Sequence, residues 1–90
     1  MKLRWTSTAR EDRARIARTI AADSVSAARK LDLRFEQSAD RLLTYPELGR
    51  PGRLAASREM VVHQNYILVY EVDGETILIL TILHAAQRWP

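Results

Sequence analysis

The sequence predicts an α+β domain of order β-α-α-β-β-β, a helical hairpin packed on an antiparallel sheet. Three observations carry this. Residues 58–84 hold three consecutive runs of strand-forming residues. Two stretches ahead of them repeat apolar residues at helical spacing. Pro46 and the loop it opens separate the two patterns.

Leu3-Arg4-Trp5 alternates apolar and basic residues and predicts a short strand able to join a later sheet. Thr8-Ala-Arg-Glu11 fits a capping box, in which the Thr8 hydroxyl and the Glu11 carboxylate each satisfy a backbone N–H at a helix start. From there Ala9, Ile16, Ala17, Ile20 and Ala21 recur at helical spacing, with Arg10, Arg13, Arg15 and Arg18 between them. Asp23-Ser24 interrupts the pattern and offers a new N-cap. In the second helix Ala28, Leu31, Phe35, Ala39 and Leu42 form an apolar stripe at steps of three and four. Pro46 disfavours helical backbone at the residue before it, which ends this helix at Thr44-Tyr45. The two helices form an αα-hairpin whose stripes suit the open face of a sheet.

Pro46-Glu-Leu-Gly-Arg-Pro-Gly-Arg53 is a loop by composition, and Leu54 to Ser57 leads into the first meander strand. Val61-Val62 and Tyr66 to Val72 are β-branched or aromatic, and Ile77 to Leu83 is apolar almost throughout, as an interior strand requires. His63-Gln64-Asn65 is a short turn. Asp73-Gly74 is a strong hairpin signal, because both central positions of a type I′ turn need positive φ.

Ninety residues make a single domain, 1–90. No apolar run is long enough to span a membrane, and Met1-Lys-Leu-Arg-Trp5 lacks the apolar core of a signal peptide. The absence of cysteine excludes disulfides and thiolate metal sites, and fits a cytoplasmic location. Two distant histidines and no acidic cluster give no reason to expect a metal or other cofactor. The net charge of +3 is unevenly placed: residues 1–45 carry ten basic and six acidic side chains, residues 46–90 four and five. The basic half suits an acidic partner or a nucleic acid, or is simply a solvated helix face.

Read together, several motifs resemble a known family. They are a short strand ending in Trp5, a basic αα-hairpin and a Tyr45-Pro-Glu-Leu-Gly-Arg-Pro-Gly52 loop. Tyr66-x-x-x-Tyr70-x-Val72 and a closing Ile-Leu-x-Ile-Leu-His84-x-x-x-Arg88-Trp89-Pro90 follow. In this order and spacing they resemble the RelE/ParE superfamily, the toxin halves of bacterial type II toxin–antitoxin pairs. The resemblance spans essentially the whole chain. It implies a compact α+β toxin that stops growth and a cognate antitoxin that neutralises it. It leaves the target open, since RelE-like members cut mRNA on the ribosome and ParE-like members poison DNA gyrase.

Metal-independent RNA cleavage needs groups to activate the 2′-OH, stabilise the phosphate and protonate the leaving oxygen. Relatives that cut RNA commonly carry an Arg directly before the Leu-Val-Tyr of the middle strand; here that position is Ile67. The loop that often carries paired Lys offers Arg50 and Arg53, which clamp phosphate but donate protons poorly. The chain closes on Pro90 with no terminal Tyr. A nuclease reading therefore rests on His84, Arg88 and Arg58 as its catalytic set, with Arg50 and Arg53 binding phosphate. His84 reads more readily as a residue that hydrogen-bonds to hold the tail or that forms part of a binding surface, and His63 reads as exposed beside a turn.

Net charge and these departures favour a ParE-like toxin that acts by binding a protein target, DNA gyrase, with the mRNA endonuclease as alternative. An inactive relative that only binds antitoxin is the third reading. An acidic antitoxin would meet the Arg-rich first helix through Arg13 and Arg18. Tyr66 and Tyr70 share one strand face, where their polar tips can reach solvent or a partner, and Tyr66 is a candidate anchor for the antitoxin; Trp89 either folds back onto the helices or is a second such anchor.

Overall fold

The structure, a computed structural model, describes residues 1–86. Its elements are β1 (Lys2–Trp5), α1 (Ser7–Ala21), α2 (Val25–Thr44), β2 (Arg50–Pro51), β3 (Ser57–His63), β4 (Tyr66–Asp73) and β5 (Thr76–His84). They build the predicted two-layer arrangement, helical hairpin on sheet. The sheet has five strands in the order β1-β5-β4-β3-β2. It is mixed rather than antiparallel, because β1 lies parallel to β5 while the other pairs are antiparallel. One strand was not foreseen: Arg50–Pro51, inside the predicted loop, pairs with Arg58 and Glu59.

The hairpin forms for the reasons its spacing suggests. Ala28, Leu31, Phe35, Ala39 and Leu42 are the buried residues of α2, and Ser24 caps it by accepting the Ala27 N–H. α1 starts two residues earlier than the Thr8–Glu11 box implied. Thr6 is its cap: the hydroxyl accepts the Ala9 N–H at 3.0 Å and donates to the Leu80 carbonyl at 2.8 Å. One side chain thus starts the helix and fixes it to β5, which a Thr8 cap inside the first turn would not do. Ala9 and Ile16 face the core, while Ile20 packs at its margin.

The helix-facing side of the sheet contributes Met60, Val62, Leu68, Tyr70, Ile77, Ile79 and Ile82 to the same core. Burying such side chains stabilises by about 1.5–3 kcal/mol each, the main force closing hairpin on sheet. Two strands carry an extra residue. Val69 pairs with Thr81 and Tyr70 with Ile79, which makes Leu80 a bulge; Val61 pairs with Ile67 and His63 with Tyr66, which does the same for Val62. Both bulge carbonyls are held by side chains, Leu80 by Thr6 and Val62 by Arg34 at 2.9 Å. The β4–β5 turn lies one residue later than expected. Asp73 faces Thr76, so Gly74 and Glu75 make the turn. Gly74 has φ 59°, and Glu75 is not in the positive-φ region. Positive φ at the first position alone is the type II′ pattern, not type I′.

Candidate functional site

Three places gather the residues singled out from the sequence. Arg88 and Trp89 lie outside the described residues.

The first is the corner between loop 46–53 and β3. Glu59 is only 3% exposed, on the sheet face away from the helices. Its carboxylate lies 3.5 Å from Arg50 Nη2 and 3.4 Å from Arg53 Nε, and it accepts the Arg53 N–H at 3.1 Å. The two arginines expected to bind phosphate are therefore directed onto an internal carboxylate. Arg58 on β3 donates to the Gly49 carbonyl at 2.8 Å and to Glu47 at 3.4 Å, bracing the loop. Beside it Tyr70, fully buried, donates to Pro46 O at 2.7 Å and accepts the Gly49 N–H at 2.9 Å. This corrects the expectation that the Tyr70 tip reaches solvent or a partner. Burial pushes the Tyr70 hydroxyl above its ordinary pKa. Gly49 is required here, since a Cβ would stand 2.7 Å from the tyrosine ring.

The second is a row across three strands, His63, Tyr66 and His84. Tyr66 pairs in register with both histidines, its ring 6.1 Å from His63 and 5.4 Å from His84, edge-on to Phe35 at 5.8 Å. Tyr66 is half-buried and lines a cleft of about 380 Å³ with Lys30 and Arg34. His63, expected to be merely exposed, is half-buried within this row. Each histidine takes a backbone N–H on Nδ1, from Asn65 and Ala86 respectively, both at 3.2 Å. The structure does not bring His84 to Arg58. Arg58 sits opposite Tyr70 and His84 opposite Tyr66, four residues apart along β4, roughly 13 Å at the usual strand rise.

The third is the solvent side of the helical hairpin. Arg13 is not offered to a partner there. Its Nε and Nη2 hold Asp32 at 2.6 and 3.0 Å, Glu36 lies 3.9 Å away, and the guanidinium stands 5.0 Å from the Trp5 ring centre. The Asp32 carboxylate raises the Arg13 pKa further. Arg13 is a clamp between the helices, and Trp5 packs beneath it at the core margin. Arg18 is exposed and has no ion-pair partner among the described residues. With Arg29 it flanks an open groove of about 440 Å³ floored by Ala17 and Ala21, beside the exposed Val25 and Leu33.

The sequence reading missed Glu59, Asp32 and Asp12. Asp12 is buried in α1, accepts from the Thr81 hydroxyl at 2.5 Å and from the Ile82 N–H at 3.1 Å, and pairs with Arg15. An acidic residue at a core-facing helix position was the available signal. Among the described residues no helix is long and apolar enough to cross a membrane.

Known proteins resemble this chain in sequence and in fold. Residues 3–89 match the family model described as the ParE toxin of the type II toxin–antitoxin system parDE. The chain is 37% identical to the candidate toxin Y4kP of Sinorhizobium fredii over 90 residues, covering 99% of this chain and 93% of that one. It is 39% identical to toxin RelE2 of Caulobacter vibrioides over 83 residues, covering 92% and 93%. Among solved structures, the chromosomal ParDE system of P. aeruginosa superposes with TM-score 0.81 at 23% identity, covering 93% of this chain and 95% of that one. A YoeB/ParE toxin from Agrobacterium tumefaciens superposes with TM-score 0.71 at 18% identity, covering 93% and 98%.

Proposed function

This chain belongs to the ParE toxin family of type II toxin–antitoxin systems, and on that premise we propose that it arrests growth by binding a protein target, DNA gyrase, until a cognate antitoxin masks it. The observation that carries the target is the commitment of the loop cations. Arg50 and Arg53 are turned onto Glu59, and Arg58 onto the carbonyls of Glu47 and Gly49. Charges engaged in this way hold a loop in place and are poorly disposed to gather around a scissile phosphate. The separation of His84 from Arg58 supports the same reading, because general acid–base chemistry needs its groups within hydrogen-bond reach of one reacting centre.

The antitoxin contact falls on the hairpin groove. Exposed Val25 and Leu33 give it an apolar wall, and Arg18 and Arg29 a basic rim. An amphipathic segment with acidic flanks complements both features, folding as it binds.

A second reading, the ribosome-dependent mRNA endonuclease, draws on one observation: His84 and His63 flank the half-buried Tyr66 beside Lys30 and Arg34. The deciding experiment induces the chain without antitoxin and maps new mRNA 5′ ends across the transcriptome. Intact messages with arrested growth and a DNA-damage response are expected. Abundant cuts within translated frames, lost in a His84→Ala strain, would overturn the gyrase assignment. Intact messages in healthy cells would leave a chain that only binds antitoxin.

A further inference from the structure

Lys30 and Arg34 stand four residues apart on one face of α2, like charges at a spacing that weakens a helix. Neither pairs with an acidic side chain among the described residues. Lys30 makes no hydrogen bond or ion pair there, and Arg34 donates only to the Val62 carbonyl, through Nη2 at 2.9 Å. That bond holds the guanidinium against β3 and leaves its other N–H groups unused.

The two cations border a cleft of about 380 Å³ between the helical hairpin and the β3–β4 turn. Ile20 and Leu31 give it an apolar floor, His63 and Tyr66 form its far wall, and no residue lining it carries a carboxylate. His63 Nδ1 accepts the Asn65 N–H at 3.2 Å, which leaves the ring proton on Nε2. The Tyr66 hydroxyl makes no hydrogen bond among the described residues, while its ring is held edge-on to Phe35. An ammonium, a guanidinium, an imidazole N–H and a phenol therefore border one space that holds no anion of its own.

We infer that this cleft binds a small, free phosphate monoester with an apolar organic part, the phosphate between Lys30 and Arg34 and the apolar part on Ile20 and Leu31. A dianion matches the two positive charges, and its three terminal oxygens take the spare donors of Lys30, Arg34, His63 and Tyr66. A carboxylate, with one charge, leaves the second cation uncompensated. The volume lies near the lower end for ligand sites, which suits a small molecule. Occupancy ties the first half of α2 to the β3–β4 turn and cancels the repulsion between Lys30 and Arg34. The site lies on the helix side of the sheet, opposite the face that carries Glu59, and apart from the groove beside Val25 and Leu33. It therefore requires neither the target nor the antitoxin assignment.

The test titrates the refolded full chain, free of any partner, with phenyl phosphate, inorganic phosphate and benzoate, and follows the backbone amides by NMR. Phenyl phosphate should shift the Lys30, Arg34, His63 and Tyr66 amides saturably, and bind about tenfold more tightly than either other probe. Lys30→Met keeps the aliphatic stem and removes the charge, and should weaken phenyl phosphate about tenfold. Tyr66→Phe keeps the ring against Phe35 and should weaken it severalfold. Equal affinity for phenyl phosphate and inorganic phosphate overturns the proposal, because the cations alone then hold the ion. Equal affinity for benzoate overturns the choice of a phosphate. Shifts centred on Arg18, Arg50 or Arg53 place the anion elsewhere and overturn it, as does a folded Lys30→Met variant that binds like the wild type.

Discussion

The Tyr70 hydroxyl and the Gly49 N–H meet at 2.9 Å across 21 residues of sequence, and the same hydroxyl donates to Pro46 at 2.7 Å. One buried group therefore sets both ends of the turn that follows α2. Tyr70→Phe strands the Gly49 N–H and the Pro46 carbonyl, and should cost roughly 1–3 kcal/mol. Gly49→Ala pushes a methyl against the ring and should cost a similar ~1–3 kcal/mol by overpacking. Urea denaturation of each variant measures this; a change below the error of the method would mean the corner relaxes freely.

Tyr70 also gives the fold an alkaline limit. Burial raises its pKa above the ordinary value of 10.0, so the folded state holds the phenolic proton more tightly than the unfolded chain does. Its stabilising contribution is complete below the unfolded pKa and is lost as pH climbs through the folded one. Thermal melts of the wild type and of Tyr70→Phe, run upward from pH 9, should show a wild-type decline that the variant lacks. Parallel curves would argue against it.

Asp12 acts as a substitute strand partner for β5. Asp12→Ala leaves the Ile82 N–H buried and unpaired, and should destabilise by about 1–3 kcal/mol. Removing its exposed partner with Arg15→Ala should cost only ~0–1 kcal/mol, as isolated surface ion pairs do. Amide exchange at Ile82 separates the two, since only the Asp12 change should accelerate it.

Glu59 neutralises the loop. Glu59→Gln keeps its shape and removes its charge, at a cost of roughly 1–3 kcal/mol, below that of breaking a wholly buried pair because Arg50 is largely solvated. The same change removes the carboxylate that faces Arg50 and Arg53 and raises the net charge by one. Elution from heparin should move to higher salt, with a steeper dependence of affinity on salt. Unaltered elution would mean that Glu59 does not hold those charges.

Arg13 and Arg18 sit on one helix and should fail in opposite ways. Arg13→Ala removes the Asp32 clamp and the Trp5 contact, lowering toxin stability by roughly 1–2 kcal/mol with little change in antitoxin affinity. Arg18→Glu should leave stability alone and slow antitoxin association severalfold at low salt. Calorimetry of unfolding paired with binding kinetics checks both; loss of affinity from Arg13→Ala at unchanged stability would return Arg13 to the interface.

Wherever neighbours in sequence decide the structure, the sequence was readable. The stripe from Ala28 to Leu42 buries as its spacing predicts, and Ser24 and Pro46 bound α2 where cap and breaker chemistry place them. Local signals misled where two choices were close: Thr6 and Thr8 both suit a cap, and only the distant Leu80 carbonyl favours Thr6. β2 was illegible because Arg50 and Pro51 are poor strand formers, paired only through Glu59 and Arg58. The site suffered most, since cations are assigned by what they face. Arg13 faces Asp32 nineteen residues on, and no periodicity announces such a pair.

Pairing β1 with β5 has a consequence in time. Residues 2–5 leave the ribosome long before their partners, residues 76–79, and Thr6 and Asp12 likewise wait for Leu80, Thr81 and Ile82. At bacterial elongation speeds that wait is roughly 4–15 s. During it the sheet lacks β5, the strand that joins β1 to β4, and the surface built on it has not formed. The topology thus ties the docking of both β1 and α1 to the last strand made, so that the finished surface appears only after residues 76–84 have emerged.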